Sequence, residues 1–99
     1  MKFEKNTIYS IKMNSGEEVI AKVTATEFNS ISVSKPLAMA ATPQGLQMVP
    51  AMFTFDPDKD VDININSISM SSLARDDVQT AYIEATTGLT VGSNQILKG

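Results

Sequence analysis

Ninety-nine residues, 42% of them hydrophobic and 19% charged, make one small globular domain whose modest core gains from self-association. With no Cys and no His, the chain has no disulfide and no thiolate, and it lacks both the commonest general base and the commonest transition-metal ligand; the expectation is a non-enzymatic protein without metal or cofactor. Eleven acidic against eight basic residues give a formal charge of -3, which weighs against non-specific attachment to a phosphate backbone.

The opening "MKFEKNTIYS" has no long apolar core behind its positive charges, so it does not read as a signal peptide. No run of roughly 18 apolar residues occurs anywhere, and the expectation is a cytoplasmic chain with no membrane span. "TIYSIKM" alternates, with Ile8, Ser10 and Lys12 on one face and Tyr9, Ile11 and Met13 on the other, and its β-branched and aromatic residues predict a strand. In "NSGEE", Asn14, Ser15 and Gly16 make a turn. "VIAKVTA" returns as a second strand with Val19, Ala21, Val23 and Ala25 facing one way. "TEFNS" (26–30) is the next turn. "ISVSKP" is a third strand with Ile31 and Val33 inward, ended or bent by Pro36.

Two apolar runs, "LAMAA" and "LQMVPAMFTF", flank the turn signal "TPQG" and read as strand, turn, strand, bulged or at an edge where Pro50 removes a donor. Phe53 and Phe55 fall on one face of that strand. After the charged turn "DPDKD", "VDININSISM" alternates with Val61, Ile63 and Ile65 on one face. Its phase slips at Asn66–Ser67, because Ile68 and Met70 occupy the even positions, and a bulge or kink there accounts for the slip. The period then changes. Ala74, Val78, Ala81, Tyr82 and Ala85 line one stripe of a helix, with Ser72 placed to cap it, Asp76 and Asp77 near its positive end, and Gly88 as its stop. The rest, "LTVGSNQILKG", has no period and reads as a flexible or partner-dependent tail.

Asp56, Asp58 and Asp60 have the first three spacings of a calcium loop. Val61 stands where such a loop needs Gly and Ser67 where it needs a bidentate Glu, so a solvated turn is the better reading. Glu17 and Glu18 are adjacent in an extended segment and point to opposite faces, so they form no carboxylate pair. Met13, Met39, Met48, Met52 and Met70 read mostly as core fillers, some of them at a subunit contact, and Tyr82 as packing. Neither glycine-rich phosphate loop pattern is present.

"IYSIKMNSGEEVIAKVTATEFNSISVSKP", a strand, a Gly turn, a second strand, an acidic turn and a third strand, resembles the first half of the Sm-like (LSm) fold. Gly16 fits the family's turn Gly, Ala21 stands in place of its second Gly, Glu27 takes the Asp position, and Asn29 or Ser30 stands near the Asn. With the Met- and Pro-bearing segment, the Ile-Asn strand and "AYIEATTGL", nearly the whole chain is similar to the small Sm-like proteins of bacteriophages, cyanophages included. Two departures stand out: "ININSISM" has no Arg-Gly pair, and the helix is at the C-terminal rather than the N-terminal end.

The resemblance implies an all-β fold with one C-terminal helix. Its core is a strongly bent five-stranded antiparallel open barrel of the SH3 type over 1–72, with the helix (73–88) packed on it and a flexible tail over 89–99. It implies head-to-tail strand pairing through "QMVPAMFTF" and "DININSISM" into a homo-oligomeric ring of roughly five to seven copies, a pentamer or hexamer preferred. In such a ring Asn29, Ser30, Asn64 and Asn66 are placed to bond base edges of single-stranded RNA, Phe28 to stack on a base, and Lys22 and Lys35 to meet phosphates. Two functions follow: an RNA-binding or RNA-chaperone ring, and a phage assembly or scaffold module that docks a protein partner and has lost RNA binding. The charge of -3 and the missing Arg-Gly pair favour the second.

Overall fold

The alternation read from the first third of the chain is built into three successive antiparallel strands: β1 (Thr7–Met13), β2 (Glu18–Thr26) and β3 (Ser30–Thr42). The structure is a computed structural model that describes residues 2–87 and the backbone of Gln95–Leu97. Gly16 closes the first turn at φ +105°, with nothing near the position of a missing Cβ; its conformation, and not crowding, is what calls for glycine there. β3 turns at "TPQG" into β4 (Gly45–Pro50), with Gly45 at φ +123°. Then come β5 (Val61–Asn64), β6 (Ile68–Leu73), the helix α1 (Asp76–Thr87) and a short β7 (Gln95–Leu97). The fold is thus mostly antiparallel sheet with one C-terminal helix, as expected; among the described residues six strands precede the helix where five were expected, and a seventh, Gln95–Leu97, joins them from the tail.

The hydrogen-bonded order runs β6-β1-β2-β3-β4-β7, with β5 lying against the first half of β3. β5 passes into β6 through a single 3-10 turn, Ile65–Ser67, where the phase slip predicted a kink. The succession β6-β1-β2-β3-β5 therefore returns to its own start. Both turns flanking β2 are tied to that corner. Asn14 donates its backbone N–H to the Ser67 carbonyl (2.8 Å), and Ile65 donates to the Asn29 carbonyl (2.9 Å).

Side chains on the concave side form one core: Tyr9, Ile11, Val19, Ala21, Val23, Ile31, Val33 and Ile68, flanked by Met13, Val61, Ile63 and Ile65. Each fully buried aliphatic side chain among them contributes about 1.5–3 kcal/mol. Tyr9 accepts a hydrogen bond from the Glu4 N–H (2.8 Å) and meets Phe3 edge to face. A second core lies on the other face of the same strands, where Ile8, Ile20 and Met48 meet Ala74 and the Val78, Ala81 and Tyr82 stripe of α1.

One strand feeds both cores because β3 carries an extra residue. Between the Lys22–Ser34 and Ile20–Leu37 pairs, β3 advances three positions while β2 advances two. Ile31 and Val33 therefore enter the first core, and Leu37 and Met39 pack on the second. Lys35 takes a φ of +44° at this bulge, and β3 bends at Pro36 without ending.

Several expectations are corrected. "LQMVPAMFTF" is not one strand: β4 stops at Pro50, and 51–60 is bends and turns in which Phe53 is 88% exposed. Proline has no N–H to continue the ladder, and beyond it the apolar run finds no face to cover. The helix begins at Asp76 rather than 73, and Ser72 is no cap, because it lies in β6 opposite Ser10. Asp76 and Asp77 do occupy the first turn, and Asp77 accepts from the Val78 N–H (2.9 Å). The expected helix stop at Gly88 lies outside the described residues, as does most of the tail. Within the tail, the backbone of Gln95–Leu97 pairs with Met48–Leu46 of β4. Among the described residues, no helix is long and apolar enough to cross a membrane.

Candidate functional site

Two places collect the residues singled out from the sequence. The first is the corner between β5 and β6 together with the β2–β3 turn. Glu27 closes that turn by donating its N–H to the Ser30 carbonyl (2.8 Å), which lifts Phe28 to 94% exposure. Asn29 is held against the corner through the bond from Ile65, and Ser30 pairs with Asn64 across β3 and β5. Asn64 caps the 3-10 turn, its Oδ1 accepting from the Asn66 N–H (2.9 Å), and the Asn66 carbonyl accepts from Asn14 Nδ2 (2.7 Å). Phe28, Asn29, Ser30, Asn64 and Asn66 thus sit at one corner. The side-chain amides of Asn29 and Asn66 make no hydrogen bond among the described residues. Phe28 also walls a shallow cleft of about 560 Å³ with Phe3, Ile31 and Ile65, rimmed by Lys2, Glu4 and Glu27.

Lys22 and Lys35 are not part of that corner. They line a separate cleft of about 640 Å³ between α1 and the sheet, with Leu73, Tyr82, Ile83 and Thr87. The Tyr82 hydroxyl reaches into the bulge, where it donates to the Ser34 carbonyl and accepts from the Lys22 N–H (3.3 Å). It bonds backbone groups of both strands beside the bulge, and burial raises its pKa above the ordinary tyrosine value. Among the described residues, no carboxylate lines this cleft.

The sequence reading missed Leu73, Gln79 and Ile83 as cleft residues. Ile83 carried a signal, since it is an apolar residue off the buried stripe of α1, and it is exposed.

The remaining polar groups serve the fold. The single arginine, Arg75, is paired with Asp77 at 2.9 Å, and its side-chain hydrogen bond holds the Asp77 carboxyl below the usual range. The acidic turn binds itself: Asp56 Oδ1 accepts from the Asp58 N–H, and Asp60 accepts from the Thr24 hydroxyl. Among the described residues, no three potential ligands converge for a metal ion.

No protein-family model matches this chain, and no curated protein is detectably similar to it in sequence.

Proposed function

We propose that the chain is a non-enzymatic Sm-like barrel of the cytoplasm that assembles head to tail into a ring of roughly five to seven copies and binds short single-stranded RNA at the Phe28–asparagine corner. The strand succession that returns to its start through a 3-10 corner supports the barrel. The outer edge of β6 supports the ring. "ISMSSL" carries no charge, pairs on one side only, and exposes Met70 and Leu73, each at 63%. Natural edge strands are usually blunted by charge or proline, and β6 has neither. The receiving edge is the outer side of β5, because β4 already has β7 beside it at Leu46–Met48.

One observation carries the RNA reading: an aromatic ring almost wholly in solvent, on a turn hydrogen-bonded to a corner that presents unpartnered asparagine amides. Exposing Phe28 has a hydrophobic cost that stacking on a base removes, and amides read base edges. Around a ring the contact repeats, so weak sites add through avidity.

Fluorescence anisotropy with short U-rich and A-rich RNA tests this reading. Binding that weakens with salt and falls at least fivefold in Phe28→Ala is expected, since stacking is worth about 1–3 kcal/mol per base. An intact oligomer that binds neither RNA at low salt rejects it.

A second reading, an assembly module that docks protein, is favoured by the charge at the corner, where Glu4 and Glu27 outnumber Lys2 and the sole arginine is engaged elsewhere. Failure of RNA binding together with a defined oligomer selects it.

A further inference from the structure

We propose that the cleft between α1 and the sheet is a binding site for a small phosphomonoester bearing an apolar or flat body, separate from the RNA corner and independent of it. Three observations converge on the cleft. Among the described residues its charged lining is Lys22 and Lys35, in a chain whose acids outnumber its bases, and neither lysine forms an ion pair there. Two ammonium groups match the charge of a phosphomonoester, about -1.5 to -2 at neutral pH, better than that of a single carboxylate.

Next, Lys35 stands at φ +44°, in the left-handed region that glycine or asparagine occupies more easily. A lysine held there, directly before Pro36, is the kind of strain that functional sites retain. The bulge that imposes it also places the residue at the mouth of the cleft. Finally, Ile83, 47% exposed on α1 and away from the β6 edge, gives the cleft an apolar wall next to these charges. A ligand with an anionic head and an apolar or aromatic body covers both features at once, and at about 640 Å³ the space is in the range of small-molecule sites. The Tyr82 hydroxyl is occupied by Ser34 and Lys22 backbone groups, so it shapes the floor and the lysines supply the charge.

Amide NMR titration of the full chain with UMP, AMP and inorganic phosphate at low salt tests the site. Expected are saturable shifts centred on Lys22, Lys35 and Ile83, with either mononucleotide binding more tightly than phosphate alone. Lys22→Ala and Lys35→Gly should each weaken mononucleotide binding about tenfold or more, the loss that goes with one charge-assisted bond. Glycine suits the backbone at this position, and a urea midpoint for Lys35→Gly separates a loss of binding from a loss of fold. The shifts at Lys22, Lys35 and Ile83 are read apart from any at Phe28, Asn29 and Asn66, and the lysine variants should weaken the first set alone, which keeps this site distinct from the RNA corner. No saturation of the shifts at Lys22, Lys35 and Ile83 up to about 10 mM, or unaltered affinity there in both lysine variants, would overturn the proposal.

Discussion

The hydroxyl of Tyr82, on the helix, donates to the backbone carbonyl of Ser34 at the point where the third strand holds its extra residue. The same oxygen accepts from the Lys22 N–H, so one side chain ties both strands at the bulge to the helix. Helix position and strand bending are thereby a single structural feature.

Tyr82→Phe keeps the ring and its packing but removes the hydroxyl that bonds the part-buried Lys22 N–H and Ser34 C=O. The expected loss is about 1–3 kcal/mol, read as a lower urea midpoint with an unchanged denaturant slope.

The pH dependence follows from the same group. Its folded-state pKa lies above the unfolded value of about 10, so the folded chain holds the proton more tightly. That contribution is complete below the unfolded pKa and is lost as pH rises through the folded one. Thermal melts in the alkaline range should show a fall in stability that is smaller in Tyr82→Phe.

Lys35→Gly relieves a left-handed residue while loosening the unfolded chain. The two effects oppose each other, and the net change expected in chemical denaturation is neutral to stabilising by up to about 1 kcal/mol. A clear loss of stability would mean that the lysine side chain supports the fold.

The two cores should respond separately. Ile11→Ala, in the concave core, is expected to cost about 2–5 kcal/mol and to loosen the whole sheet. Val78→Ala, beneath the helix, removes less volume and should cost about 1–2 kcal/mol, with hydrogen exchange rising first in α1.

The concave core was legible in the sequence because Tyr9, Ile11, Val19, Ala21, Val23, Ile31 and Val33 obey a period of two. The corner at Ile65–Ser67 was legible because Ile68 breaks that period. The second core was legible only on its helical side, in the stripe Ala74, Val78, Ala81 and Tyr82; Ile8 and Ile20 occupy what a single-layer reading takes for solvent-facing positions. The bulge at Lys35, which turns Leu37 and Met39 to the other face, left no local mark beyond Pro36. "AMFTF" misled for the opposite reason, as an apolar run that stays partly in solvent. At the site, Asn29, Ser30 and Asn64 were expected together; Ser30 pairs with Asn64 across β3 and β5, and Asn29 accepts from the neighbouring Ile65 N–H. Lys22 and Lys35 were grouped with them by charge alone, and the bulge carries them to a different cleft.

The ring rests on the uncharged outer edge of β6. Met70→Lys combined with Leu73→Lys adds charge to that edge on side chains that are already exposed, so the subunit should fold while assembly fails. Native mass spectrometry of the unaltered chain at micromolar concentration is the most direct test. The account predicts one closed species of roughly five to seven chains, reduced to single chains in the double-lysine variant. A stable single chain in the unaltered protein would contradict it.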